Sequence, residues 1–142
     1  LHVLHLSELR PPPAVVRAVL ADARQRAPDE ACGVVLETPG GLRALPAPNA
    51  SSTPTVAFEL PLPWLLPRLR GGRLRAIYHS HPEGSAVLSA TDRARFRGPG
   101  GAPLWPGVEL WVVGLRSGVV DLGRHVWDSS RLDFRRLLPE AP

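Results

Sequence analysis

His79 and His81, in His79-Ser80-His81-Pro82, are followed after seven intervening residues by Ser89 and after two more by Asp92. Side chains at i and i+2 of an extended segment point to the same side, with Cα atoms about 6.6 Å apart. Both imidazoles can therefore reach one ion, and Asp92 supplies a third donor. Three protein ligands on Zn²⁺ leave the fourth tetrahedral position open to water, which is the catalytic rather than the structural arrangement.

Positioning these donors requires a strand, a loop and a helix start. Arg73-Leu74-Arg75-Ala76-Ile77-Tyr78 alternates polar and apolar, predicting a strand that delivers the two histidines at its C-terminal end. Pro82 and Gly84 stop it. Ser89-Ala90-Thr91-Asp92 reads as a helix start, with Ser89 as N-cap and Asp92 at the third helical position. Ser-x-x-Asp is also a common capping pattern and His-x-His a common surface feature of strands. Capping and ligation are compatible, because a helix N-terminus favours a carboxylate. Ser80, between the two histidines, should face away from the ion and could at most support the site by hydrogen bonding.

Upstream lies Pro28-Asp29-Glu30-Ala31-Cys32-Gly33-Val34-Val35, and between it and the histidines lie Asn49-Ala50 and Thr55-Val56-Ala57-Phe58. With these segments, the His-x-His and Ser-x-x-Asp signature resembles the JAMM (MPN-plus) zinc metalloproteases over roughly residues 11 to 120, most closely their small prokaryotic members. Two departures, Leu88 where many members have Pro and the Glu83-Gly84-Ser85 stretch, touch loop shape rather than ligand identity.

The resemblance implies an α/β fold, one JAMM/MPN-type domain over residues 1–142, with a curved mixed β-sheet flanked by helices and cytidine-deaminase-like layering. It implies one Zn²⁺ held by His79, His81 and Asp92, with Glu30 as general base and acid and Ser89 as oxyanion donor. On residues alone, Glu30 would read as a solvated strand-entry residue. The implied substrate is the Gly-Gly tail of a ubiquitin-like or sulfur-carrier protein, lying beside a strand edge with its terminal amide bond at the metal. Release of cysteine from a sulfur carrier is the preferred reaction. A desampylase or deubiquitinase-like isopeptidase acting on Lys-linked conjugates is the alternative. A third reading is a non-catalytic MPN-type scaffold, against which the filled ligand positions argue. Other His-x-His folds fit less well. A metallo-β-lactamase-type site would want an Asp and a further His where Glu83 and Gly84 stand, and a cupin would need a later Glu and a distant strand His. A zinc deaminase would need Cys-x-x-Cys, and Cys32 is the sole cysteine.

Cys32 sits in an apolar run and reads as a small buried hydrophobe. His2 and His5 face opposite sides of an expected strand over residues 2–6, and His125 reads as a sheet-surface residue; none is expected as a ligand. Trp105 and Trp111 read as core rather than groove.

A chain of 142 residues can bury one core. The net charge of +4 arises from seventeen basic residues that are all Arg, a bias of composition rather than evidence for a nucleic-acid partner. Arg68, Arg70, Arg73 and Arg75 read as a solvated face around Gly71-Gly72. One cysteine, no secretory signal pattern and no apolar run near 18 residues predict a cytoplasmic protein without a membrane partner.

Helical spacing of Val15, Val16, Val19, Leu20 and Ala23 predicts a helix from Pro11-Pro12-Pro13 to Ala27. Strands are expected at 31–37, 42–46 (a hairpin across Pro39-Gly40-Gly41), 55–60, 108–115 and 119–127, the last two joined by Arg116-Ser117-Gly118. Helices are expected at 61–69 and 131–138, the latter packing through Leu132, Phe134, Leu137 and Leu138.

Overall fold

In the computed structural model, which describes residues 10–138, β3 (Arg73–His81) is the element around which the others are laid. It pairs antiparallel with β1 (Cys32–Thr38) and parallel with β4 (Glu109–Gly114). β2 (Gly41–Ala47) extends one side, while β5 (Asp121–Asp128) and β6 (Asp133–Arg136) extend the other, in the order β2-β1-β3-β4-β5-β6. Among the described strands β3 and β4 form the parallel pair, which makes the sheet mixed, as expected. Parallel neighbours cannot be joined by a hairpin, so the chain leaving His81 must cross one face before returning.

Both faces are covered. α1 (Pro13–Arg26) packs Val15, Val19 and Ala23 against Val35, Tyr78 and Trp111. On the other face Phe58, Leu88 and Phe96, with Leu65 of α2 (Leu62–Arg68), cover Val34, Ile77 and Val112, and α3 (Ala90–Arg95) lies in the crossover from β3 to β4. The period-2 alternation of β3 splits it accordingly: Tyr78 joins the core under α1, and Ile77 the core opposite.

Polar groups buried under α1 dock its end. Asp22 accepts from the Tyr78 hydroxyl at 2.7 Å and pairs with Arg26 Nε at 3.2 Å. The Arg26 guanidinium donates to the carbonyls of Ala47 (2.6 Å) and Cys32 (2.7 Å). A buried charge is tolerable only when paired in this way, and the pairing sets where the chain re-enters the sheet just after Glu30.

The expected strands at 31–37, 42–46, 108–115 and 119–127 and the helix at 61–69 are present with ends shifted by a residue or two. The expected strand over 2–6, with His2 and His5, lies outside the described residues. Residues 55–60 are not a strand. Their backbone is organised by the Asn49 side chain, whose Nδ2 donates to the Glu30 and Ala57 carbonyls while its Oδ1 accepts from Ser51 and Glu59 N–H, all at 3.0 Å. A side chain that satisfies these groups removes the need for a strand partner. Residues 131–138 are not a helix. Leu132 has φ 54°, a left-handed turn conformation, and the following β6 buries only Phe134, leaving Leu132 and Leu138 exposed. Of the four leucine and phenylalanine positions read as a helical stripe, period 2 rather than 3.6 decides which one packs.

His125 is fully buried rather than on the sheet surface, and its Nδ1–H donates to the Leu110 carbonyl at 3.1 Å. The reason is tertiary: the chain after His81 runs across β5, where Gly123 contacts Ala86. Burial lowers the His125 pKa from 6.5 to about 4. Between these values the unfolded chain holds a proton that the fold does not, so stability falls as pH drops through this window, by up to about 3 kcal/mol. Urea midpoints of wild type and His125→Asn should therefore converge as pH falls from about 7 to about 4. A gap independent of pH would sink this account.

Candidate metal centre

The site is built on the last turn of alternation in β3. His79 and His81 project on the face carrying Ile77, whereas Ser80 faces away, as expected. Its role is to position Glu30: Ser80 Oγ accepts the Ala31 N–H at 2.7 Å, and Ser80 N–H donates to the Ala31 carbonyl at 3.0 Å. Glu30 itself donates its N–H to the Pro54 carbonyl at 2.7 Å, and its carbonyl accepts from Asn49. The Glu30 backbone is thus pinned from three sides before its side chain makes any contact.

Ser89 and Asp92 occupy the helix positions read from the sequence. Ser89 Oγ accepts the Asp92 N–H at 3.0 Å, and Ser89 N–H donates to Asp92 Oδ2 at 3.1 Å, a reciprocal capping box. Two further contacts hold α3. Arg93 and Arg97 both donate to Asp133 Oδ1, at 2.9 and 2.8 Å, tying the helix to β6. The loop between His81 and Ser89 rests directly on backbone at Gly114 and Gly123, where a Cβ would collide with the main chain of Ser85 and Ala86.

Together these supports bring His79 Nε2, His81 Nε2 and Asp92 Oδ2 into a triangle with sides of 3.1, 3.0 and 3.1 Å. Tetrahedral ligands at zinc-like bond lengths stand about 3.3 Å apart, so the triangle fits one ion closely, and a two-nitrogen, one-oxygen donor set suits zinc. His81 Nδ1–H donates to the Ser85 carbonyl at 2.9 Å, which leaves the Nε2 lone pair for the site. The buried His79 ring is stacked by Phe58 at 4.4 Å between centroids. Burial lowers its pKa and keeps it neutral, the form that can ligate. For Asp92 burial acts to raise the pKa, but the two histidines and the Ser89 N–H outweigh it and hold the carboxylate ionised.

The Glu30 carboxyl lies within 4.8 Å of ring nitrogens of His79 and His81 and makes no side-chain hydrogen bond among the described residues. Burial, with the Asp92 charge acting in the same direction, raises its pKa to about 7, against the opposing pull of His81 and Arg95. Glu30, His81, Ser89, Asp92, Phe58 and Arg95 line one cavity of about 380 Å³, and the fully buried His79 meets His81 and Asp92 through the triangle. All five residues singled out in the sequence are therefore brought together. Cys32 is excluded from the chemistry: it is buried, and burial raises its thiol to about 11. Trp111 is core, while Trp105 is half-buried beside the apolar edge of α2. Arg68 lies over the Trp64 ring and Arg75 pairs with Glu37 and Glu109, so these two of the four arginines read as a solvated face are engaged within the fold.

Four contributors were not legible as such. Asn49 had a local signal, an Asx-prone residue before a Ser-Ser-Thr-Pro loop. Phe58 and Asp133 had none, because each reaches the site from another element, whereas Arg95 stands three residues after Asp92 on α3.

The family profile of prokaryotic homologs of the JAB domain matches residues 12–128. The chain belongs to this family. The resemblance carried by the His-x-His and Ser-x-x-Asp signature is thereby borne out, as is the α/β fold with a mixed sheet between helices. Among curated proteins, the JAB-domain chain is 36% identical over 95 residues to a desampylase of Haloferax volcanii, a match covering 58% of this chain and 68% of that protein. It is 34% identical over 80 residues to the tail tip assembly protein K of Escherichia phage N15, covering 56% of this chain but only 33% of that longer protein. Solution structures of proteins from Desulfitobacterium hafniense (TM-score 0.68, 20% identity, 88% of this chain and 86% of that one) and Salinibacter ruber (TM-score 0.60, 23% identity, 94% and 95%) share the fold.

The close approach at Gly123 can be checked by substitution. Gly123→Ala should lower stability by about 2 kcal/mol or more, as overpacking against backbone does, while Gly71→Ala, with nothing in contact range, serves as control. Equal thermal midpoints for the two variants would show that the loop does not bear on β5.

Proposed function

We propose that this JAB-domain chain is a zinc-dependent peptidase or isopeptidase that hydrolyses the amide bond after the C-terminal Gly-Gly tail of a ubiquitin-like or sulfur-carrier protein. The observation that carries the reading is the 3.0–3.1 Å triangle of His79, His81 and Asp92 donor atoms, set below an open cavity with Glu30 on its wall. His79, His81 and Asp92 would hold the metal. Zinc bound there supplies Lewis acidity, lowering the pKa of a water toward about 7 and polarising a carbonyl.

The remaining work falls to the chain's own side chains. Glu30 takes the proton from the attacking water and returns it to the leaving amine. In the metal-free chain burial raises the Glu30 carboxyl to about 7, and its place beside the histidine nitrogens suits a group that must act first as base and then as acid. Ser89 uses its oxygen lone pair to cap α3 and keeps its hydroxyl proton free to donate to the developing oxyanion. Phe58 and the Ser85 carbonyl hold the two imidazoles in orientation.

The Haloferax relative is named a desampylase, which supports a ubiquitin-like substrate and favours Lys-linked conjugates as a second reading. Cysteine release from a sulfur carrier is supported by the sequence resemblance to small prokaryotic members. Carrier–cysteine and carrier–lysine adducts, analysed by mass spectrometry after incubation, separate the two.

The purified protein should bind zinc near one equivalent and lose hydrolysis on chelation. Glu30→Gln should retain the zinc and the thermal midpoint while cleaving about 10²–10⁴-fold more slowly, the range that loss of a general base produces. A protein that binds no zinc, or a Glu30→Gln variant as fast as wild type, would overturn the proposal.

A further inference from the structure

α3 and the residues after it carry three arginines at alternate positions, and two are already engaged: Arg93 and Arg97 share Asp133. Arg95 differs. Among the described residues its guanidinium makes no hydrogen bond or ion pair; it lies 5.6 Å from the centroid of Phe58, the ring that stacks on His79. It lines the same cavity as Glu30, Ser89 and Asp92. The other charged lining groups are the carboxyls of Glu30, Glu83 and Asp92 and the imidazole of His81, which makes Arg95 the permanent cation among the cavity's described lining residues.

From this placement, and resting on the hydrolytic reading above, we propose that Arg95 is a specificity-determining residue that pairs with the α-carboxylate of a single amino acid released from the carrier tail. Arg95 and the carboxyl that serves the leaving amine line one cavity. In a tail–amino acid adduct the leaving nitrogen is bonded to Cα, which bears the carboxylate, so the anion stands two bonds from the nitrogen that Glu30 protonates. Glu30 and Glu83 on the cavity wall disfavour that anion, and a guanidinium beside it offsets their repulsion. In a Lys-linked conjugate the leaving nitrogen is the ε-amine, with four methylenes between it and a Cα whose own carboxyl is a neutral peptide. That leaving group offers Arg95 no anion at this position. The guanidinium can grip a carboxylate through two parallel N–H donors, and the Phe58 ring face holds it in place beforehand. The reaction balances as hydrolysis: the tail C–N bond breaks, water oxygen bonds to the tail carbon, and both water protons end on the departing amine, the first passed by Glu30, leaving a tail carboxylate and an ammonium.

The test uses the zinc-loaded full chain and a ubiquitin-like carrier ending in Gly-Gly, extended by one alanine as the free acid or as the carboxamide. Wild type should favour the acid by about tenfold or more in kcat/KM, expressed in KM, as expected for a charge-assisted hydrogen bond. Arg95→Gln should bring the two substrates to near parity, and Arg95→Lys should restore part of the preference. Calorimetry should show the free-acid product binding more tightly than its amide to wild type but not to Arg95→Gln. Cleavage of both substrates without preference overturns the role of Arg95 and leaves the hydrolase reading standing. So does an equal loss on both in Arg95→Gln, as a contact with the tail itself would give. Cleavage of neither substrate by zinc-loaded wild type overturns the role of Arg95, and the hydrolase reading falls with it when a carrier–lysine conjugate is also left intact.

Discussion

The parallel pairing of β3 with β4, which sets His79 opposite Val112 and His81 opposite Gly114, is the constraint on which the rest of the site depends. An antiparallel neighbour could have followed β3 by a tight turn, leaving two histidines on a strand end with nothing above them. The parallel partner forces a long crossover, and that crossover carries the Ser89–Asp92 helix start over the C-terminal end of β3. The glycines at 114 and 123 let it pass close enough for the Asp92 carboxylate to meet both imidazoles. A ligand set distributed over two elements is thus closed by topology, and the capping box then holds the carboxylate against the helix N-terminus, where its charge is favoured.

Two polar side chains beside the site, Ser80 and Asn49, are held by partners that also orient them, while the buried His79 Nδ1 has no hydrogen-bond partner among the described residues. Ser80 is a hydrogen-bond acceptor in the core under α1, and by engaging Ala31 it brings the Glu30 segment to the end of the histidine strand. Asn49 does the same from the other side, replacing strand pairing with four side-chain hydrogen bonds. Such connected networks fix a single geometry because a partly satisfied one would be costly in a low-dielectric interior. Around them the electrostatics divide by environment: desolvation keeps His79 neutral and raises Glu30 toward neutrality, while two imidazoles and an N–H keep Asp92 ionised. Two carboxyls in one cavity therefore differ in state in the metal-free chain.

Much of the fold was legible because it rests on local periodicity. The alternation in residues 73–78 and the helical stripe from Val15 to Ala23 both became the elements they announce. The failures share a cause. Residues 55–60 carry strand-like residues, but the Asn49 side chain and the Thr53 carbonyl take up their hydrogen bonds. Residues 131–138 place Leu132, Phe134, Leu137 and Leu138 at spacings that suit a helix as well as a strand, and pairing with β5 decides for the strand. His125 reads as a surface residue until a loop from another part of the chain covers it. In each case the deciding partner is distant in sequence.

For the site itself, donor types and short spacings determined which atoms could share an ion: an i, i+2 histidine pair on a strand and a carboxylate at the third position of a capped helix are local facts. They also limited the candidate donors on these two elements to three. What only the tertiary structure decided is the distance between those local units and the company they keep. Glu30 approaches the histidines because β1 lies beside β3, Phe58 stacks on His79 because its loop is tied back by Asn49, and Arg95 faces the cavity while Asp133 holds its two neighbours. Spacing along a chain constrains only residues within one element; between elements, sheet order, close backbone approach and burial set the geometry and the protonation states.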